Sequence, residues 1–481
     1  MDFDSTTYLT FFLPAVVLGH WVLRRLLNAT VAQAWLLLAS VVFYVLGAAT
    51  PLHVALLVGS ILFNWLISRK IASYEDLPQR LRWLHIGLGG NILLLGVFKY
   101  TAFFLGGVYS LSGIAAPVPH LIFPLGISFY TLTSIMYLVD CYQKLYEPLR
   151  LFEYASSVPF FAYITAGPIV RAGTIAPQFR APLSAEERAS LFTTGVYRLG
   201  SGLAKKLVLA DLFASVANAG FASTQGLSSS DAWCASLAYT MQMYFDFSGY
   251  SDLAIGSAAL FGVRIPENFN WPYISQSISE FWTRWHMSLS HFITNYLYTP
   301  IVRSFGKVTL TTSAVATVLA MTIAGLWHGP AMTYVVWGVM HGFALAVNQV
   351  WKRRKLKLPK GAGWFMTMMF VNASLVVFRA PDLSTAAHIL RMMFVPFGVM
   401  AAGNLSLAEL DQFFTSDVLV RGCLVGLPIL AVSLWRLRQP GPDKAAVFAI
   451  SPTVCAVLYS LLVYCVLFAG TTSAGFIYTQ F

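Results

Sequence analysis

No aspartate, glutamate, lysine or arginine lies between Lys307 and Lys352, and the middle of that run reads Ala324-Gly325-Leu326-Trp327-His328-Gly329-Pro330. The stretch is long enough for two membrane-spanning helices of about 20 residues each. In hydrocarbon every backbone N–H and C=O must be satisfied internally, so such a run has little choice but to be helical. A lone imidazole within it costs free energy unless it faces a cavity or a partner, which makes His328 a functional-site candidate. Gly325, Gly329 and Pro330 predict a locally broken or closely packed helix around it. The competing reading of His328 is a packed histidine bonded to a carbonyl, with no chemistry of its own.

The rest of the chain has the same character. It is 57% hydrophobic and 11% charged over 481 residues, where a soluble domain carries roughly 25% charged residues. The expected class is therefore an all-α polytopic membrane protein. Apolar runs near 8–24, 32–48, 52–68, 84–98, 118–139, 308–327, 331–351, 363–379, 418–435 and 446–470 are the candidate spans. Asp2 and Asp4 precede the first, so it reads as a retained helix and not as a signal peptide. Cys141, Cys234, Cys423, Cys455 and Cys465 show neither pairing nor metal spacing and read as buried apolar thiols.

A net charge of +11 raises the question of nucleic acid, and its distribution excludes that reading. The basic residues stand in short clusters between apolar runs: Arg24-Arg25, Arg69-Lys70, Arg80 and Arg82, Lys205-Lys206, Lys352 to Lys355, Arg436 and Arg438. Under the positive-inside rule each marks a cytoplasmic loop. Threading the chain through them puts 24–31, 69–83, 140–150 and 352–361 inside and both termini outside. Three zones follow within one membrane domain over 1–481: N-terminal helices (1–139), an amphipathic or re-entrant core (140–305) in which charges return among aromatics, and further long spans (306–481). No internal repeat of the kind found in transporters is visible.

Within the core zone, Phe281, Trp282, Trp285, Leu289, Phe292 and Tyr296 recur at helical spacing and predict one amphipathic helix. Glu280 and Arg284 form an i,i+4 pair in the favourable order, a serine-rich lead-in supplies the N-cap, and His286 falls near the wet end of that helix. Tyr244-Phe245-Asp246-Phe247-Ser248-Gly249-Tyr250-Ser251-Asp252 sets two carboxylates among aromatics. It reads equally as a polar lining for a donor or an acceptor hydroxyl and as a capped helix start. No residue spacing suggests a metal site. A desolvated imidazole at His328 stays neutral, and can take a proton from a hydroxyl as that hydroxyl attacks an acyl group.

Together these segments resemble the membrane-bound O-acyltransferase family, in particular its bacterial branch of alginate O-acetyltransferase membrane subunits and teichoic acid D-alanyl transfer proteins. The resemblance is carried by Phe123 to Tyr130, Ala166 to Arg171, Tyr244 to Gly256, Asn268 to Ser290, Gly325 to Gly329 and the terminal Phe476 to Phe481, in order along the chain. It implies a ring of helices around a thin centre where cytosolic and periplasmic funnels meet. It further implies that His328 is the catalytic histidine and that His286 occupies the second histidine position. Arg284, Trp327, Asp246, Ser248 and Tyr250 are the expected substrate-binding residues. No bound cofactor is expected; the acyl donor is acetyl-CoA or a carrier-bound acyl group, in a bacterial inner membrane, with transfer to an exopolysaccharide directly or through a periplasmic SGNH-type acetyltransferase. After Tyr298 the alginate type continues with a Gly-Gly-Asn-containing basic loop, whereas this chain reads Thr299 to Lys307, so a cellulose-type acceptor stands beside alginate. D-alanyl transfer to teichoic acid and a glycan or acyl-carrier transporter are the alternatives.

Overall fold

The computed structural model describes Ser5, residues 7–113, 121–222 and 227–395. The expected spans at 418–435 and 446–470, the external C-terminus, Cys423, Cys455, Cys465 and the Phe476–Phe481 motif lie outside these residues. Among the described residues the regular structure is entirely helical. Six helices are long and apolar enough to cross a membrane: Tyr8–Leu26, Ala29–Gly47, Pro51–Ser73, Leu77–Tyr109, Leu310–His328 and Lys360–Arg379. Their outward faces carry Phe11, Leu18 and Leu93 at 72%, 67% and 67% exposure, which suits hydrocarbon and not water.

The chain divides into two compact units, Met1–Arg198 with Leu253–Glu267, and Leu199–Asp252 with Asn268 onward. The first begins with α1 (Leu13–Leu26), α2 (Ala29–Gly47), α3 (Pro51–Ser73), α4 (Leu77–Leu95) and α5 (Thr101–Ser112). Asn28 caps α2 by accepting from the Val31 amide at 2.9 Å, and Pro51 stands in the first turn of α3, where its missing N–H costs nothing. The apolar run expected at 118–139 becomes α6 (Ile127–Tyr142), which is only 16 residues long and buried along most of its length. Ser128, Thr131, Thr133 and Ser134 make it too polar to face lipid, and it packs instead against α3 and α4. Arg80, expected as a cytoplasmic-loop charge, is 4% exposed and donates to the carbonyls of Cys141 and Tyr142, satisfying the end of α6. Gly126 precedes α6 with φ 67°, and a Cβ there would stand 2.4 Å from the Ile164 carbonyl oxygen, so only glycine fits. The remaining described helices of this stretch are α7 (Leu151–Ser157), α8 (Ala172–Ile175) and α9 (Ala185–Ala204). Arg171 pairs with Asp140 at 3.6 Å, tying the Ala166–Arg171 segment to α6.

The later chain forms α10 (Asp211–Ala222), α11 (Ser229–Ala259), α12 (Ile278–Trp282), α13 (Met287–Phe292), α14 (Thr299–Ser304), α15 (Leu310–His328), α16 (Met332–Arg353), α17 (Lys360–Arg379) and α18 (Leu383–Met393). The uncharged run becomes the α15–α16 hairpin, with His328 as the last residue of α15. Its helices touch through a small-residue seam. A Cβ on Gly325 would lie 2.3 Å from the Tyr334 carbonyl oxygen, and one on Gly338 would lie 2.5 Å from that of Met321. Both obstacles are backbone, so neither can rotate away. Gly325→Val therefore drives the helices apart at about 1–3 kcal/mol or more, to be read as a lower melting temperature of the detergent-purified protein.

The aromatic stripe of 281–296 is not one helix. α12 ends at Trp282, the chain turns a corner at Thr283–His286, α13 follows, and Ile293–Tyr298 widens into a π-helical stretch. Periodicity survives such a corner because it records side-chain spacing and is blind to one residue leaving helical φ. The two thiols among the described residues also differ: Cys141 is buried as expected, whereas Cys234 is exposed on α11. Its exposure fits a helix with one outward face.

Candidate active site

His328 closes α15 because Gly329 is extended, with φ −175°, and Pro330 follows. The imidazole is 4% exposed and walled by aromatic rings. Trp327 lies 5.0 Å away at 67°, Trp337 at 5.2 Å and 87°, and Phe378 at 5.2 Å and 80°. These are edge-to-face contacts, in which the electropositive rim of one ring meets the electronegative face of another. Three elements supply the walls: α15 its own Trp327, α16 Trp337, and α17 Phe378. The box fixes the plane of the imidazole and keeps water from most of it.

Behind Trp337 stands His341, one turn along α16, with ring centroids 4.7 Å apart. His341 Nδ1 receives the Trp282 indole N–H at 3.2 Å, and its Nε2 lies 2.9 Å from Ser374 Oγ. The basic cluster beginning at Lys352 is at the other end of α16, about 30 Å from the turn at a rise of 1.5 Å per residue.

His286, expected near a wet helix end, is 1% exposed. It adopts the left-handed conformation with φ 42° and ψ 55°, and packs edge-on against Phe247 at 4.6 Å. A non-glycine residue held there costs roughly 1–2 kcal/mol and persists only where the surroundings over-determine it. Asn268 supplies that constraint. Its Oδ1 accepts from the Ser288 amide at 3.3 Å and the Ser288 hydroxyl at 2.9 Å, while its Nδ2 donates to Ser251 Oγ at 3.1 Å. Its carbonyl accepts from Met287 N at 2.9 Å. His286 lies outside the six helices that are long and apolar enough to cross a membrane, and burial pushes its imidazole down to about 3, so it is neutral at physiological pH. Asn268→Ala strands the Ser288 donors and costs about 1–3 kcal/mol, measurable as a fall in thermal stability accompanied by loss of activity.

Arg284 keeps the expected bond to Glu280 at 3.0 Å and adds one to the Asn270 carbonyl at 3.1 Å, remaining 26% exposed. The N-cap expectation also holds, with Ser277 Oγ accepting from Glu280 N at 3.2 Å. The Tyr244–Asp252 segment is not a capped helix start, since it lies inside the 31-residue α11. Its carboxylates meet two consecutive lysines. Lys206 reaches Asp246 at 2.7 Å with both side chains 2% exposed, and lies 3.9 Å from Asp211, while Lys205 reaches Asp252 at 2.7 Å. Gly249 allows the approach: a Cβ there would stand 2.9 Å from the Gly202 carbonyl oxygen and 3.1 Å from Lys205 Cβ. A π-helical stretch over Lys205–Ala210 accompanies the lysines, a distortion frequent at functional sites. Ser248 and Tyr250 are buried at 2% and 6%, and Ser248 Oγ has no hydrogen-bond partner among the described residues.

The structure thus gathers His328 with Trp327 in one aromatic box. Asp246, Ser248, Tyr250 and Phe247 lie on α11, with His286 packed against Phe247. Sequence reasoning missed Trp337 and Phe378, which no spacing marks, gave His341 no role, and noted Asn268 only as the first residue of a resembling segment. It read Lys205 and Lys206 as a cytoplasmic loop. Their apolar flanks, Gly202-Leu203-Ala204 and Leu207-Val208-Leu209, were the available sign that Lys206 is buried and Lys205 half-buried.

Comparison with known proteins places the chain in a family. Residues 6–386 match the profile of the membrane-bound O-acyltransferase family. The chain is 38% identical to a probable alginate O-acetylase of Pseudomonas putida, over 93% of this chain and 91% of that one. It is 35% identical to a peptidoglycan O-acetyltransferase of Helicobacter pylori, over 85% and 82%. A teichoic acid D-alanyltransferase of Bacillus subtilis is 27% identical over 72% and 87%. Described residues that are helical throughout their regular structure, six helices among them long and apolar enough to cross a membrane, a buried histidine in an aromatic box, and a family match from near the start of the chain to α18 leave one assignment: this protein belongs to the membrane-bound O-acyltransferase family and is a multi-pass membrane acyltransferase.

Proposed function

We propose that the protein passes an acetyl group from a cytosolic thioester, acetyl-CoA or an acylated carrier, across a bacterial inner membrane for O-acetylation of a secreted polysaccharide. The observation that carries the reading is His328 in its aromatic box at the α15–α16 turn. In the proposed step the imidazole takes the proton of an acceptor hydroxyl as its oxygen attacks the thioester carbonyl. The carbon–sulfur bond then breaks, and the imidazolium returns its proton to the departing thiolate. The acceptor is a hydroxyl of the polysaccharide, or the serine of a periplasmic SGNH-type acetyltransferase that completes the transfer. Names of similar proteins support acetyl over other acyl groups, alginate and peptidoglycan among the acceptors they mention. A cellulose-type polymer remains a further candidate on the divergent Thr299–Lys307 segment.

Ser248 and Tyr250 are the proposed polar lining for a substrate, with Trp327 walling the reacting end. Asp246 serves by holding Lys206, and Arg284 by tying the Thr283–His286 corner to Glu280 of α12. His286 is assigned a role in the same transfer. The deciding experiment is mass spectrometry of the envelope polymers of cells with and without the gene. Loss of ester-linked acetate from one polymer is the expected result and names it. Loss of ester-linked D-alanine, or intact esters together with a polymer retained inside the cell, overturns the reading.

A further inference from the structure

His341 is buried at 1% exposure, on the same helix as Trp337 and one turn from it, and the transfer described above does not use it. Its hydrogen bonds form a chain with only one self-consistent direction. An indole N–H donates and cannot accept, so the Trp282 bond at 3.2 Å requires a bare, accepting Nδ1. The single proton of a neutral imidazole then sits on Nε2, pointing at Ser374 Oγ 2.9 Å away. The serine hydroxyl is free to accept because its own hydrogen goes to the Val371 carbonyl at 2.8 Å. Trp282, His341, Ser374 and the Val371 carbonyl are thus a directed run of donors ending on an acceptor. A second proton on Nδ1 would face another donor.

The far side of the same imidazole is in ring contact with Trp337 at 4.7 Å, and Trp282 meets Trp337 at 5.9 Å. Trp337 in turn forms a wall of the His328 box at 5.2 Å. Its indole nitrogen is buried with no hydrogen-bond partner among the described residues, where its orientation is set by ring packing.

We infer that His341 is a positioning residue, locked as the neutral Nε2–H tautomer between Trp282 and Ser374, that holds Trp337 against His328 and itself transfers no proton. The inference rests on His328 being the base, and its test separates the two. The full-length enzyme in lipid nanodiscs is assayed with acetyl-CoA and its acceptor. His341→Ala lowers kcat on the order of 10–100-fold, leaves KM for acetyl-CoA within about twofold, and keeps the shape of the pH–kcat profile. His341→Asn places a carbonyl oxygen where Nδ1 stood, restores the bond to Trp282 and recovers part of kcat. Trp282→Phe and Ser374→Ala each lower kcat several-fold without moving the profile, and they carry the test if the alanine variant does not fold. Nitrogen-15 NMR of histidine-labelled protein shows one imidazole with bare Nδ1 and protonated Nε2 that disappears in His341→Asn.

A displaced or flattened limb of the pH profile in His341→Asn would make His341 a proton carrier and overturn the inference. Wild-type kcat in His341→Ala, or an Nδ1–H signal at this residue, would do the same. An active His328→Ala alongside an intact His341 tautomer signal would instead sink the assignment of the base.

Discussion

His328→Ala abolishes acyl transfer while the protein still inserts, folds and is purified at normal yield. The expected loss is large because the proposed mechanism gives the side chain two duties. Removing a positioned general base costs roughly 100–10,000-fold, and removing the imidazole opens a hole between Trp327, Trp337 and Phe378 that admits water. Folding should be affected far less, since the α15–α16 seam is made by Gly325, Gly338 and Gly342 and not by His328. His328→Gln separates the duties: it fills much of the space and can accept a hydrogen bond, but it cannot carry a proton. Near-wild-type product formation in either variant, measured as ester-linked acetate per enzyme, removes His328 from the mechanism.

The second large effect concerns stability. Lys206→Met leaves Asp246, buried at 2% side-chain exposure, without the ammonium group 2.7 Å away. Breaking a buried ion pair from one side typically costs about 3–5 kcal/mol, because the remaining charge is uncompensated. The variant should therefore fail to accumulate, or melt well below the parent. Asp246→Asn is milder, since Lys206 keeps Asp211 at 3.9 Å and the amide can still accept a hydrogen bond. The double variant Lys206→Met with Asp246→Leu should recover much of the loss, because two well-packed apolar groups often replace a buried pair at no net cost. If it is stable but inactive, the pair serves the chemistry. If it is stable and active, the pair serves folding alone. An unchanged melting temperature in Lys206→Met contradicts the burial described here.

Much of the candidate site could be read along the chain, and the reason is visible in what could not. His328 announced itself by solvation: an imidazole amid apolar residues needs a cause, and Gly325, Gly329 and Pro330 signalled the close packing and the break beside it. The Ser277 cap and the Glu280–Arg284 pair were legible because they are contacts within one turn of helix. The His286 corner was not, because the contacts enforcing it come from Asn268, 18 positions earlier, and from Ser251 on α11. Lys205 and Lys206 show a further limit. Residue type made them charges, and charge suggests water; their short contacts at 2.7 Å come from carboxylates 40 and 47 residues away.

Composition and hydropathy by themselves determined that this chain is an all-helical membrane protein, because hydrocarbon leaves the backbone no other regular solution over such lengths. Local sequence likewise determined that a histidine stands at the break between two helices. Tertiary structure alone decided what surrounds that histidine: Phe378 from α17, Trp337 from α16, and behind them His341 with the proton placed by Trp282 and Ser374. The difference is physical. Solvation and backbone satisfaction act on each segment as it stands, whereas the direction of a hydrogen bond or the tilt of an aromatic wall exists only once distant segments meet.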